Sequence, residues 1–251
     1  MTMARIVDAE MLDGLDAGHP AARRSRRDLQ RIHRVMGTRS ILLRAWRGLV
    51  PAHPASEPLR VLELGAGDGT LMLGVARALA RRGPPDERRR VEFTLLDRAD
   101  LLKAQTVQGY RAAGWVVAAQ VCDVNEWVAA HKDGIAAPGA RRRWNVIVAN
   151  LFLHHFDDAH LRALLVAVAS RTDVFLACEP RRGRLALAAS HCVGAIGANA
   201  VTRTDSVLSV RAGFCGAEIA ACWPQEGRRW SLREYPAGLF SHCFGARAEG
   251  E

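Results

Sequence analysis

Two periodicities alternate along this chain. Residues 23–36 place Leu29, Ile32, Val35 and Met36 at helical spacing while the arginines fall largely elsewhere, which predicts an amphipathic helix with one packed face. Ser40, a good cap, opens a second apolar pattern through Ile41, Leu42, Leu43, Trp46 and Leu49 that ends before Pro51. Residues 51–58 read as a linker, so 1–57 is expected to form a helical extension or cap and 58–251 the main domain.

Past the linker, short apolar runs alternate with helical stretches. Strands are predicted at 59–64, 91–96, 115–121, 144–149 and 174–178, and helices at 70–82, 101–113, 124–131 and 158–170. That order describes an α/β fold with a doubly wound, mostly parallel sheet covered on both faces. Right-handed crossovers gather the carboxyl ends of the strands on one edge, where open sheets bind ligands. Glu63, Asp97, Asp123 and Asn150 all stand at or just beyond strand ends on that edge.

The alternation fails after the fifth strand. Residues 184–196 are apolar and alanine-rich, 197–211 polar and turn-like, 215–223 a short helix, and 229–235 with 238–246 a terminal antiparallel pair. An insertion at about 181–214, longer than a crossover needs, is expected to cover part of the ligand edge.

Composition narrows the class. A length of 251 residues allows one large core. The 35 basic residues outnumber the 26 acidic ones, for a formal charge of +9, but lysine occurs only at Lys103 and Lys132. A general preference for arginine explains the balance as well as an anion-binding surface does. The arginine runs within 23–27, 88–90 and 141–143 are scattered and read as solvated faces, which makes a nucleic-acid partner the weaker expectation. The six cysteines stand singly, without zinc-ligand spacing or a disulfide framework, and Asp157, Asp158 and His160 read as a helix start, so no metal is expected. Residues 1–16 hold four acidic side chains and no apolar core, unlike a signal peptide, and no run has the length of a membrane span. A cytoplasmic protein is expected.

The chemistry concentrates after the first strand. Gly65, Gly67 and Gly69 let the backbone turn sharply and approach a ligand, ahead of a helix whose first amides are unpaired. A dinucleotide fingerprint would need glycine or alanine where Thr70 stands, and a phosphate loop would need the missing Gly-Lys-Ser/Thr. The segment Val61-Leu62-Glu63-Leu64-Gly65-Ala66-Gly67-Asp68-Gly69-Thr70 resembles the first motif of the class I S-adenosylmethionine-dependent methyltransferases, and the resemblance runs over about 59–179. It implies a Rossmann-like methyltransferase sheet with S-adenosyl-L-methionine as cofactor. Gly65, Ala66, Gly67, Asp68 and Gly69 would hold its methionine portion, with Glu63 orienting the loop. Asp97, with Arg98 beside it, would accept from the ribose hydroxyls. Asp123 and Val124 would flank adenine, and Asn150 and Leu151 would lie beneath the sulfonium. Asp97 comes about thirty residues after the glycine loop where about twenty is usual, the polar loop at 83–90 supplying the excess.

Asn150-Leu151-Phe152-Leu153-His154-His155-Phe156 looks like the corresponding segment of small-molecule members of the family, and Glu179-Pro180-Arg181-Arg182 after the fifth strand resembles those of quinone biosynthesis and polyketide pathways. The former segment lacks the paired prolines of methyltransferases acting on nucleic-acid amino groups. His154 and His155 are the available general bases; the alternative is that both are structural. Met36, Trp46, Phe152, His191, Arg203 and Asp205 are candidates for the acceptor pocket, though packing or surface roles suit most of them equally. The expected act is methyl transfer to oxygen, or to carbon as second choice, of a small apolar aromatic or polyketide-like acceptor. The rivals are an RNA or protein methyltransferase using the basic surface and a non-catalytic cofactor-binding or interaction protein.

Overall fold

The apolar runs pair into one seven-stranded sheet in a computed structural model that describes residues 3–51, 57–81, 90–132 and 143–249. Most of the expected linker, of the loops at 83–90 and 133–143, and of the arginines at 88–89 and 141–142 lies outside the described residues. Five strands are parallel: β1 (Leu59–Leu64), β2 (Val91–Asp97), β3 (Trp115–Val121), β4 (Trp144–Asn150) and β5 (Thr172–Pro180). β6 (Trp230–Ala237) and β7 (Ser241–Ala248) close the sheet antiparallel, in the order β3-β2-β1-β4-β5-β7-β6. β1 pairs with β2 on one side and β4 on the other, so the strand order reverses there and a crevice opens at its carboxyl end.

Side-chain alternation splits the core in two. Val61, Val146 and Val148 face a cluster with Met72, Phe93 and Tyr110, covered by α2 (Thr38–Leu49), α3 (Thr70–Ala80) and α4 (Ala104–Ala112). Leu62, Leu64 and Ile147 face the other, with Leu161, Phe175 and Trp223, under α5 (Val124–Lys132), α6 (Asp158–Ala169) and α9 (Glu218–Cys222). β1 is buried on both faces, which is why it reads as a nearly unbroken apolar run. No described helix is long and apolar enough to cross a membrane.

The flanking regions depart from expectation. α2 is part of the main core: Leu42, Trp46 and Leu49 are buried with the sheet, and the Trp46 ring lies 6.0 Å from that of Trp115. Residues 200–212, expected to be turn-like, form the helix α8 (Ala200–Ala212), capped by Asn199, which accepts from the Thr202 amide at 2.8 Å. Its polar side chains are inside because their partners are distant in sequence. Thr202 bonds Ser25 at 2.8 Å, and Asp28, itself on α1 (Pro20–Met36), accepts from the Asn199 amide at 2.9 Å. α7 (Arg184–His191) precedes it and packs against it.

Residues 3–18, where no periodicity was visible, run as a strap over the carboxyl edge of the sheet, with one helical turn at Met11–Gly14. Arg182, nearly buried, donates to the Met3 carbonyl at 2.8 Å. Arg5 donates to the carbonyls of Ala212 and Phe156 at 2.9 and 2.7 Å and stacks over Phe214. Asp205 on α8 accepts the amides of Met11 and Leu12 at 2.8 and 3.0 Å. Replacing Asp205 by Ala removes both acceptors at a cost of about 1–3 kcal/mol. Protease cleavage within residues 3–18 is expected to accelerate while the circular dichroism of the sheet and helices stays that of the parent.

Candidate active site

The crevice at the end of β1 is a cavity of about 410 Å³, within the range of small-ligand sites. The glycine loop forms one wall. Gly65, Gly67 and Gly69 have φ of 64°, 56° and 70°, in the left-handed region that side chains disfavour. They differ in what surrounds them. A Cβ on Gly65 would meet the Phe152 ring at 2.2 Å and one on Gly69 would meet Leu95 at 2.7 Å, whereas one on Gly67 would meet nothing within 4 Å. Gly67 therefore presents bare backbone to the cavity.

Carboxylates hold the loop. Asp97 accepts the Gly67 amide at 2.8 Å and the Ala99 amide at 3.1 Å, which leaves lone pairs on both oxygens. Asp68 bonds the Thr70 hydroxyl at 2.6 Å and receives the Gln30 amide of α1 at 2.7 Å, so α1 is tied across the loop. Glu63, 3% exposed, has its Oε2 without a partner, and so does the buried Oδ1 of Asn150. Burial, with Asp97 and Asp68 nearby, raises the Glu63 carboxyl well above the usual range. Two buried polar oxygens in one crevice are thus left without a protein partner.

The opposite wall follows β4. Leu151 has φ 49°, a conformation that costs a side-chain-bearing residue about 1–2 kcal/mol. The turn is held from β5. The Leu151 amide donates to the Cys178 carbonyl at 3.0 Å, and the next three amides, of Phe152, Leu153 and His154, donate to the Glu179 carboxylate at 3.1, 3.0 and 3.4 Å. Glu179 is fully buried and also lies 2.8 Å from Nδ1 of His154, whose Nε2 lies 3.3 Å from Glu10 on the strap. Burial alone drives the His154 imidazole down, but its bonds to Glu10 and Glu179 outweigh that and push it up to about 9. At neutral pH both ring nitrogens carry hydrogens, so His154 is a fixed cation without a lone pair to offer.

His155 differs from its neighbour. Its side chain is 24% exposed at the cavity, and Nδ1 lies 3.1 Å from Asp13 of the strap, which Arg98 also contacts at 3.0 Å. The two imidazoles are 4.3 Å apart between centroids. Glu10, His154 and His155 bring one potential metal-ligand atom each within 4.8 Å of one another, with protons on both nitrogens of His154 at neutral pH.

The expected cofactor residues Glu63, Gly65, Ala66, Gly67, Asp68, Asp97, Arg98, Asp123, Val124, Asn150 and Leu151 all line the cavity, with Phe152, His154 and His155. Gly69 lies just outside the lining, its carbonyl accepting from Tyr110 at 2.7 Å. Five acceptor-pocket candidates lie elsewhere. Trp46 is in the core, Met36 ends α1, His191 and Arg203 are exposed on α7 and α8, and Asp205 anchors the strap. Glu10, Asp13 and Glu179 were absent from the expected set. Glu179 carries the same strand-end signal as Glu63 and Asp97, whereas nothing local marks Glu10 or Asp13.

No protein-family model matches this sequence, and no curated protein matches it. Solved structures match in shape. The plantazolicin methyltransferase BamL, crystallised with a triazolic desmethylPZN analog and SAH, superposes with a TM-score of 0.59 over 94% of this chain and 93% of that one, at 12% identity. This chain has the methyltransferase fold. A protein from Nostoc punctiforme assigned as an O-methyltransferase gives a TM-score of 0.50 at 15% identity over 84% of this chain, which spans only 56% of that protein. Within the methyltransferase fold the glycine loop and the β4 turn face each other across the crevice. Gly67→Ala is expected to fold with a loss of about 1 kcal/mol from its positive φ, its methyl group entering the cavity. Gly65→Ala is expected to lower the melting temperature further, since its methyl overlaps the Phe152 ring; thermal denaturation of the two variants side by side checks the difference.

Proposed function

We propose that this chain transfers the methyl group of S-adenosyl-L-methionine to an oxygen, or as second choice a carbon, of a small apolar aromatic or polyketide-like metabolite in the cytoplasm. The observation that carries the reading is the pair of buried oxygens without partners, Glu63 Oε2 and Asn150 Oδ1, beside the bare backbone of Gly67; a cation bound there would return Glu63 to the carboxylate. An ammonium group such as that of the methionine portion brings three donors to such a place. The free lone pairs of Asp97 suit a ribose diol, and Asp123 with Val124 lines the cavity where adenine belongs in this reading. The residues fit the cofactor, which when bound supplies a methyl group on a positively charged sulfur. The methyltransferase names of BamL and of the Nostoc protein support the same reading.

Transfer to a hydroxyl requires a place for its proton. His155 takes that role because it reaches the cavity and its Nδ1 faces Asp13, which leaves Nε2 to accept. With a bound cofactor supplying the methyl group, Nε2 of His155 would take the proton that the acceptor hydroxyl gives up as its oxygen is methylated. His154, already a cation clamped by two carboxylates, holds the wall in place. Strap and α1 cover part of the cavity with Leu12, Leu15 and Leu29, and among the described residues the arginines in its lining, Arg26 and Arg98, are bonded to the Ala17 carbonyl and to Asp13. An apolar cover over part of the cavity, with those arginines already engaged, favours a small acceptor over RNA or protein.

Calorimetric titration is expected to show S-adenosylmethionine and S-adenosylhomocysteine binding with affinity on the order of micromolar and NAD not binding; a folded sample that ignores both sulfur nucleotides contradicts the reading. Asp97→Ala is expected to weaken that binding about tenfold or more. His155→Gln should bind the cofactor as the parent does and lose about 10²- to 10⁴-fold in turnover of phenolic acceptors.

A further inference from the structure

The strap supplies one carboxylate to each of the two adjacent histidines, and the pairings differ in kind. Glu10 completes a buried clamp on His154, where Glu179 already holds the other nitrogen. Asp13 meets a partly exposed imidazole whose second nitrogen has no protein partner among the described hydrogen bonds and ion pairs. We infer that Asp13 is a positioning residue for His155, so that the site is complete only when the strap lies across the sheet edge. The inference rests on the reading of His155 as the base.

Geometry and charge both support it. Asp13 is held in place on two sides. Arg98, one residue beyond β2, bonds both its carboxylate and its backbone carbonyl, and Asp205 fixes the strap immediately before it through the Met11 and Leu12 amides. An Nδ1 hydrogen directed at the Asp13 carboxylate selects the tautomer in which Nε2 has the lone pair. Its ring contacts, Phe152 at 6.4 Å and the His154 ring at 4.3 Å between centroids, are tilted and supply no directional bond that would fix the ring. Charge makes the carboxylate necessary as well as convenient. A proton arriving on His155 stands beside the His154 cation, and like charges at that distance repel strongly in a partly desolvated site. Asp13 is the anion that bonds His155 directly; Glu10 and Glu179 are occupied by His154, and Arg98 adds a further positive charge nearby. Without Asp13 the proton would enter a cluster in which the two remaining carboxylates, Glu10 and Glu179, are both engaged by His154.

Two measurements test this, one of them independent of any acceptor. Nitrogen-15 spectra of the histidine rings in the cofactor-loaded protein, recorded at mildly alkaline pH, should show the His155 ring hydrogen on Nδ1. In Asp13→Asn the ring should shift toward the mixture of tautomers seen for a free imidazole. Kinetically, Asp13→Asn should reduce kcat on a naphthol-type acceptor about tenfold or more, leave cofactor affinity as in the parent, and have no further effect in a His155→Gln background. Asp13→Glu should recover part of the loss. An unchanged tautomer in Asp13→Asn, or an equal kcat loss in the His155→Gln background, overturns the inference. A His155→Gln enzyme with full turnover overturns the parent reading instead, whatever the tautomer spectra show.

Discussion

The buried carboxylate of Glu179 is the constraint on which the candidate site depends. A charge with no solvent contact costs several kcal/mol unless donors surround it, and here the chain provides four: the amides of Phe152, Leu153 and His154 and the Nδ1 of His154. To offer three successive amides to one carboxylate the backbone after β4 must turn sharply. Leu151 absorbs the turn by entering the left-handed region. The strain is local, and the bonds it permits tie the end of β4 to the end of β5, place Phe152 against Gly65 and fix the ring of His154. Through His154 the same carboxylate reaches Glu10, so the strap is docked by the charge that shapes the wall.

Two histidines adjacent in sequence are given different chemistry by that arrangement. Burial would leave His154 neutral, yet two carboxylates outweigh burial and make it a cation. His155, one residue further, turns to the cavity and keeps one nitrogen for exchange. Across the crevice another set of carboxylates serves a different purpose. Asp97 and Asp68 are bonded to the glycine loop and Glu63 is left partly unsatisfied. A chain with a formal charge of +9 thus concentrates acidic groups at the strand-switch crevice, while most of the described arginines lie outside the cavity lining.

Much of this was legible from residue order. The ends of β1 and β3 fell where the apolar runs stopped, at Gly65 after β1, which is buried on both faces, and just before Asp123 after the edge strand β3. The cofactor side was legible for the same reason: strand, glycine loop and acidic strand ends are local features in a predictable order. α8 was not, since Thr202 and Asp205 look like surface residues until their partners on α1 and the strap are known. Trp46 shows the converse limit. Helical spacing says that a face is buried but not whether it meets a ligand or, as here, the aromatic core around Trp115. The strap was the least legible element, because a segment held by backbone amides and isolated side chains has no period to read.

Amide hydrogen exchange in the parent protein and in Glu179→Gln tests the central constraint most directly. The substitution keeps the side-chain volume but converts one acceptor oxygen into a donor. The account predicts that the amides of Phe152, Leu153 and His154 are protected in the parent and exchange markedly faster in the variant, while those of β4 itself keep their protection. Fast exchange of those three amides in the parent, or undiminished protection in Glu179→Gln, would contradict it.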